Sequence, residues 1–331
     1  MHRRRRHCLF LVAALLMTVM ASANYGWAQT NLPRLGIIVT GTAHDPPGRG
    51  VRLNAIRRAL ASHGWIEGQN IEFEIRNARG DLTHFAELAA DLVRARPDVI
   101  WADSAPAARV TYAATRTIPI MAFDFTTDPV AAGYAENYYR PGKNVTGVFL
   151  DAPQFAVKWI EFLQAIVPEL TNIAVLWDPN PGDAHVRALE KVAPSFGIGL
   201  QVIEVREPQD IDAAASSFKT RPEALITLPS PMMLAENTRL VRLTKSLRLP
   251  STSIFPFFAE AGGLIAYGPQ RDSANDQAAA LITKILRGAD PGGLPIERTG
   301  VFELVVNLKT AKALGLTIPG DVLVRADRVI K

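Results

Sequence analysis

Short apolar runs alternate with stretches of helical periodicity along most of the chain. The first run, LGIIVTG (35–41), ends in glycine and is typical of a buried strand. The next stretch repeats Leu53, Ile56 and Leu60 at helical spacing and then reaches Gly64, where a helix is expected to end. Strand runs and helical stretches continue to follow one another with short connections. This alternation predicts an α/β fold with two doubly wound parallel sheets.

The predicted boundaries follow from where each apolar pattern begins and ends. Predicted strands cover 35–41, 70–78, 98–103, 118–124, 145–150, 172–178, 199–205, 224–230, 251–255, 263–268 and a stretch beginning at 301. Predicted helices cover 83–97, 105–115, 154–167, 183–196, 209–219, 232–247 and 273–287, and a short helix follows the last strand.

Candidate binding residues lie where these strands end. In doubly wound sheets, ligands bind outside the carboxyl ends of the strands, and two such units side by side would share one cleft there. The candidate ligand-binding residues are Thr40, Thr42, Ser104, Ala105, Asp128, Ser230, Phe255 and Tyr267. The hydroxyl groups can donate and accept hydrogen bonds, and the two aromatic rings would form an apolar wall. Ser104 is equally suited to capping the next helix, and Asp128 either caps a turn or holds a cationic group.

Patterns that would indicate catalysis are missing from the sequence. The first strand is not followed by G-x-G-x-x-G, and neither G-x-x-x-x-G-K-[ST] nor G-x-S-x-G occurs. Downstream of residue 28, the histidines His44, His63, His84 and His185 form no H-E-x-x-H or H-x-H pair, so a metal site has no local support. We therefore expect a binding protein rather than an enzyme, without a cofactor or a metal ion.

The first 28 residues differ from the rest of the chain. Four arginines, 3–6, precede an apolar run over 8–21, and the small residues Gly26 and Ala28 follow it. This order is typical of a secretory signal peptide and predicts a periplasmic protein. The apolar run is shorter than the roughly 20 residues of a membrane span, although an uncleaved N-terminal anchor is the alternative. Cys8 is the sole cysteine, so the mature chain has no disulfide.

The charge balance changes when this segment is removed. The whole chain has 36 basic and 32 acidic residues and a net charge of +4. Residues 1–28 contain four arginines and no acidic residue, which leaves 32 basic against 32 acidic residues. Nucleic-acid binding thereby loses its electrostatic support. We expect a monomer that binds a small molecule.

Four segments together resemble a known family. They are ASHGWIEGQNIEFEIRNARGD (61–81), TIPIMAFDFTTDPVAAGYAENYYRPGKNVTGV (117–148), AEAGGLIAYGP (259–269) and FELVVNLKTAKALGLTIP (302–319). They are similar to the ABC-transporter substrate-binding proteins that include tryptophan and tyrosine binders. The resemblance runs from about Leu32 to the C-terminus.

The resemblance implies a type I periplasmic binding fold with two lobes joined by three crossovers. Lobe 1 would contain residues 32–147 and about 269–300, and lobe 2 would contain residues 148–268 and about 301–331. The lobes would close over a small aromatic or carboxylate-bearing ligand and deliver it to an ABC permease in the inner membrane. Residues 147–151 are expected to begin the first crossover and to act in hinge closure.

Two departures from the family pattern affect the expected ligand. Ser104 and Ala105 stand where the family commonly has Gly and Thr, which displaces one hydroxyl contact by a residue. Ser230 stands where many members have an acidic residue that would pair with a ligand ammonium group. The alternative functions are a periplasmic sensor that presents its ligand to a membrane receptor kinase and a secreted α/β enzyme.

Overall fold

The computed structural model describes residues 32–41, 50–150 and 152–331. The predicted signal peptide, the candidate residue Thr42 and the predicted hinge residue Asp151 lie outside the described residues. No helix in the described part of the chain is both long and apolar enough to cross a membrane.

The first sheet contains six parallel strands within the described residues. In their order across the sheet they are β11 (Glu297–Arg298), β5 (Val145–Phe149), β4 (Ile120–Asp124), β3 (Val99–Asp103), β1 (Arg34–Val39) and β2 (Glu72–Asn77). The side chains of β3, β4 and β5 are almost all buried. Such runs are apolar on both faces because helices cover both faces of a parallel sheet.

The second sheet contains seven strands within the same described ranges. In their order across the sheet they are β13 (Arg328–Ile330), β12 (Phe302–Asn307), β10 (Ile265–Pro269), β9 (Ser251–Ser253), β8 (Ala224–Thr227), β6 (Asn172–Trp177) and β7 (Gly199–Glu204). The sheet is parallel except where β10 pairs with β12 in the antiparallel direction. The predicted α/β class with two mainly parallel sheets is therefore confirmed.

Helices connect most of the strands. They are α1 (Val51–Ser62), α2 (Phe85–Arg94), α3 (Ala105–Ala114), α4 (Ala152–Ile166), α5 (Ala184–Val192), α6 (Pro208–Ala213), α7 (Pro231–Ala235), α8 (Asn237–Leu247), α9 (Pro256–Ala261), α10 (Arg271–Leu286), α11 (Leu308–Leu314) and α12 (Gly320–Arg325). Helix α1 buries Leu53, Ile56 and Leu60, the stripe that its periodicity predicts.

The structure differs from the predicted elements in places where segments are short. The single helix predicted over 232–247 is two helices, because Glu236 has a non-helical backbone (φ −92°, ψ 18°). Helices α9 and α12 and strands β11 and β13 were not predicted. Each has six residues or fewer, which is too short to show a helical or strand period.

The described chain passes between the two sheets at three points. It leaves β5 of the first sheet for α4, which contacts β9 and β10 of the second sheet. It returns from β10 to α10, which contacts α1 and β5. It crosses again between β11 and β12. A single residue, Gln270, separates β10 from α10, so the second connection is very short.

Gly147 lies inside β5 and has a packing role. It is paired with Ala122 of β4, and a Cβ atom built on Gly147 would lie 2.0 Å from the Ala122 carbonyl oxygen. A side chain at Gly147 would therefore push two central strands apart. Gly147 therefore belongs to the paired part of β5, and the hinge over 147–151 stays a prediction.

We predict that Gly147→Ala lowers the free energy of unfolding. A residue that acted only in a hinge would change lobe closure without this loss of stability. Overpacking of this kind costs about 1–3 kcal/mol in the free energy of unfolding, measured by urea denaturation. Gly199→Ala is the matched control, because a Cβ on this strand glycine would meet no atom closer than the Thr171 carbonyl oxygen at 3.6 Å. Equal unfolding midpoints for the two variants would contradict the packing role of Gly147.

Candidate functional site

The carboxyl ends of the strands of the two sheets meet, and we call this contact region the inter-sheet interface. The ring of Phe125, after β4, lies 6.4 Å from that of Phe255, after β9. His185 Nε2 lies 2.7 Å from the Phe125 carbonyl oxygen. Arg109 Nη1 donates to the Asn180 carbonyl oxygen at 2.8 Å. Loops and helix starts of both sheets therefore form one continuous surface here, where ligands of doubly wound folds bind.

An ion pair forms the first-sheet side of the interface. Asp103 ends β3, and Arg52 lies near the start of α1. Arg52 Nε donates to Asp103 Oδ2 at 2.6 Å, a second nitrogen of Arg52 bonds the other carboxylate oxygen, and Arg52 Nη1 reaches Asn275 Oδ1 at 2.6 Å. The guanidinium also lies 4.4 Å from the centroid of the Phe123 ring. Both oxygens of Asp103 are thus engaged by Arg52.

A second arginine, Arg271, lies close to this pair. It is the first residue of α10, and its guanidinium lies 5.0 Å from the centroid of the Phe255 ring. Burial and, to a smaller extent, the nearby positive charge of Arg52 together lower the pKa of Arg271 to about 10. Among the described residues, none forms a hydrogen bond or an ion pair with the Arg271 side chain. Arg271 is therefore a partly buried cation with an aromatic face as its contact.

His185 forms a polar contact between the sheets, and its pKa is strongly lowered. Its side chain is buried, and burial lowers the pKa of His185 to about 4 even though the bond to Phe125 opposes that shift. The neutral ring can donate from Nε2 to the Phe125 carbonyl oxygen, while Nδ1 has no partner among the described residues. Its ring also lies 5.7 Å from that of Trp159.

Ser104 and Ala105 begin helix α3 beside Asp103. Ser104 Oγ accepts a bond from the Ala107 amide at 3.3 Å, so the serine caps the helix as one of its two predicted roles requires. Its backbone (φ 153°, ψ 168°) lies in a region that is favourable essentially to glycine. This strain is at the position where the family resemblance suggested glycine. Ala105 is buried.

On the second-sheet side, the structure places Ser230 and Phe255 at strand ends. Ser230 Oγ accepts from the Met233 amide at 3.0 Å and caps α7. Phe255 is buried, and its ring stacks on that of Phe257 at 5.4 Å in addition to facing Phe125 and Arg271. Phe255 is therefore the sequence-predicted residue that contacts both sheets.

Three other predicted site residues have different surroundings. Thr40 follows β1, and its carbonyl oxygen accepts from the Gly80 amide at 2.9 Å. Asp128 is exposed and caps a turn, with Oδ1 accepting from the Val130 amide at 2.9 Å. Tyr267 packs its ring at 5.2–6.0 Å from those of three aromatic residues near the crossings, namely Phe155, Phe162 and Phe302. The structure thus does not bring Tyr267 into ring contact with Phe255.

Asp124 ends β4 and is buried. Its Oδ1 accepts from the amide of Thr126 at 2.9 Å and from that of Thr127 at 3.1 Å, while Oδ2 has no partner among the described residues. Burial raises the pKa of Asp124. Asp124 and Arg109 both act on the pKa of Tyr134, so the three side chains lie near one another.

Sequence reasoning missed Arg52, Arg271 and His185. All three lie in the first two residues of helices that follow a strand, whereas the candidates came mainly from strand ends. A search extended to the first turn of each such helix would have found them. No group of three or more His, Cys, Asp or Glu within the described ranges is arranged to hold a metal ion.

A cavity of about 610 Å³, which we call the outer cavity, lies elsewhere, beside the amino ends of β4 and β5. Its lining includes Arg116, Arg140, Lys143 and Asn144. Amino ends of parallel strands lie at the sheet edge opposite to their carboxyl ends, so this cavity is separate from the inter-sheet interface.

The family model for ABC transporter substrate-binding proteins matches residues 39–330 of this chain. A tyrosine-binding protein of Clostridioides difficile (strain R20291) is 24% identical over 263 residues, which cover 78% of this chain and 75% of that protein. A Streptococcus pneumoniae protein in complex with L-Trp superposes with a TM-score of 0.80 at 23% identity, covering 90% of this chain and 100% of that one. A ligand-free, open substrate-binding protein with adhesive properties from Clostridium difficile has a TM-score of 0.66 at 23% identity, covering 91% and 100%.

We predict that acid weakens the folded protein through His185. The pKa of His185 is about 4 in the folded state against an ordinary value near 6.5, so the unfolded state binds a proton first as the pH falls. The stability is complete above about pH 6.5, and between pH 7 and pH 5 this group alone removes about 2 kcal/mol. Urea denaturation at the two pH values measures the loss.

His185→Gln keeps an N–H donor but cannot titrate, so its unfolding free energy should fall less between pH 7 and pH 5. His84→Gln, at an exposed histidine, is the control and should retain the parental pH dependence. If His185→Gln and the parent lose the same free energy, His185 does not carry this pH dependence.

Proposed function

The chain belongs to the family of ABC transporter substrate-binding proteins, and we propose that it captures a small organic ligand at the inter-sheet interface and delivers it to the membrane permease of an ABC importer. The protein acts by binding and release. It is secreted to the periplasm through residues 1–28. The observation that carries the proposal is the meeting of both sets of carboxyl strand ends around Phe125 and Phe255.

The proposed moving parts are two lobes, residues 32–147 with about 269–300 and residues 148–268 with about 301–331. Support comes from the strand order, in which β11 pairs with Val148 and Phe149 of β5 although the two strands lie far apart in sequence. Because these two residues are paired in the first sheet, the first boundary between the proposed lobes lies after β5. Within the described ranges, the two side-chain bonds across the interface that are described above both end on carbonyl oxygens. Bonds of this kind can break without leaving a buried charge, so opening has a modest cost.

Ligand binding would shift an equilibrium between open and closed lobes. The related Clostridium difficile structure is described as ligand-free and open, while the Streptococcus pneumoniae structure contains L-Trp. In this chain, Phe125, Phe255 and Phe257 supply aromatic surface at the interface, which suits a ligand with an aromatic body. A ligand that contacts both lobes favours the closed state by its differential affinity.

The test is a screen of aromatic amino acids, aromatic acids and small carboxylates by thermal shift, followed by X-ray scattering. A ligand should raise the unfolding midpoint and reduce the radius of gyration. Compounds that neither raise the midpoint nor contract the protein, across the whole panel, would argue against solute capture.

We predict that Phe255→Ala weakens binding of any compound found in that screen by roughly tenfold or more, because burying an aromatic side chain contributes roughly 1.5–3 kcal/mol. Isothermal titration calorimetry measures the affinity. Tyr267→Phe is the control, since the Tyr267 ring packs near the crossings and its hydroxyl group is not at Phe255. Loss of binding in Tyr267→Phe with none in Phe255→Ala would move the site away from the interface.

A further inference from the structure

Arg271 is held where its charge is poorly compensated. As the first residue of α10 it lies at the positive end of the helix dipole, where a cation is unfavourable. Arg52 adds a second positive charge nearby, and the aromatic ring of Phe255 occupies the space below the guanidinium. A cation so placed is stabilised when an anion reaches it.

The carboxylates nearest to Arg271 do not supply the anion that would stabilise its charge. Asp103 gives both of its oxygens to Arg52. Asp272, the next residue along the helix, is exposed, and the structure records no bond from it to Arg271. These are the acidic groups that influence the charge of Arg271 most strongly, and neither forms an ion pair with it.

The residues at other strand ends do not pair with Arg271 either. Asp178 Oδ1 accepts from both the amide and the side-chain nitrogen of Asn180 at 2.9 Å. Asp124 Oδ1 accepts from the Thr126 and Thr127 amides, and Asp124 is among the charges that act on Tyr134 but not among those that act on Arg271. Ser230, at the end of the second-sheet loop, is uncharged and caps its own helix. Within the described part of the interface, Arg271 therefore has no ion-pair partner, and neither Asp124 nor Asp178 is among the charges that shift its pKa.

We propose that the ligand is an organic acid whose carboxylate is bound by the Arg271 guanidinium, with its apolar body against Phe255, and that it needs no ammonium group. This inference rests on the proposed function and specifies the class of ligand for that same site. A guanidinium is planar and presents parallel N–H donors, which matches a carboxylate in a two-point contact. The carboxylate completes the coordination that the protein leaves open at Arg271.

Paired probes test the inference with the intact mature protein. Each acid is compared with its uncharged primary amide: 3-phenylpropionate with 3-phenylpropanamide, and indole-3-propionate with its amide. Phenylalanine and tryptophan add an ammonium group to the same bodies, and phenethylamine carries only the cation. We expect the acids to bind roughly 10- to 100-fold more tightly than the amides, the effect of charged hydrogen bonds. We also expect the ammonium group to give no advantage.

Two arginine variants give the matched comparison. Arg271→Gln should remove the difference between acid and amide, and Arg271→Lys should retain part of it. Arg116→Gln is the control, because Arg116 also stacks on an aromatic ring, that of Tyr112 at 3.8 Å, but lies beside the outer cavity. This control should bind the acids as the parent does.

A readout without ligand separates binding from a structural role. Removing an uncompensated cation should leave the unfolding midpoint of ligand-free Arg271→Gln equal to that of the parent or above it. A fall of several degrees would assign Arg271 to the stability of the fold and overturn the inference.

The remaining outcomes separate this inference from the proposed function. Equal affinities for acids and amides, or acid binding that survives Arg271→Gln, would overturn the inference. Binding of a neutral or cationic probe more tightly than the acids, with a smaller radius of gyration in scattering, would also overturn the inference. The proposal that the protein captures a solute would still stand. A panel in which no probe binds and no contraction occurs would count against both.

Discussion

The parallel direction of the strands is the constraint on which the rest of the structure depends. Parallel strands end at one edge of their sheet, and the three crossings between the sheets bring the two such edges into contact. Residues separated by most of the chain become neighbours there. Arg52 follows the first strand, Asp103 ends the third, and Arg271 follows the second crossing. The order and direction of the strands thus determine which residues meet at the interface.

Burial then determines how each polar group at the interface behaves. His185 is uncharged at neutral pH because burial disfavours its charged form, and it bonds a carbonyl oxygen across the interface. Arg271 keeps its charge at neutral pH, because its pKa of about 10 is still well above 7. Among the described residues, the interface thus combines a neutral hydrogen bond between the sheets with an arginine that has no ion-pair partner.

The sequence predicted the long elements well, because a helical stripe such as Leu53, Ile56 and Leu60 is visible in one window of the chain. Strand β11 was missed because its two residues are defined by pairing with β5, more than a hundred residues earlier. At the site, Phe255 could be predicted from its strand end. Arg271 could not, because its importance comes from the absence of a partner, which depends on contacts across the fold. Tyr267 was also predicted as a site residue, and the structure packs its ring against aromatic residues near the crossings.

A crystal structure of the protein with 3-phenylpropionate would show where the ligand carboxylate binds. We expect it within hydrogen-bond distance of the Arg271 guanidinium, with the aromatic ring against Phe255 between the two sheets. A carboxylate bound instead beside Arg116 and Arg140 at the outer cavity, with Arg271 uncontacted, would contradict this expectation.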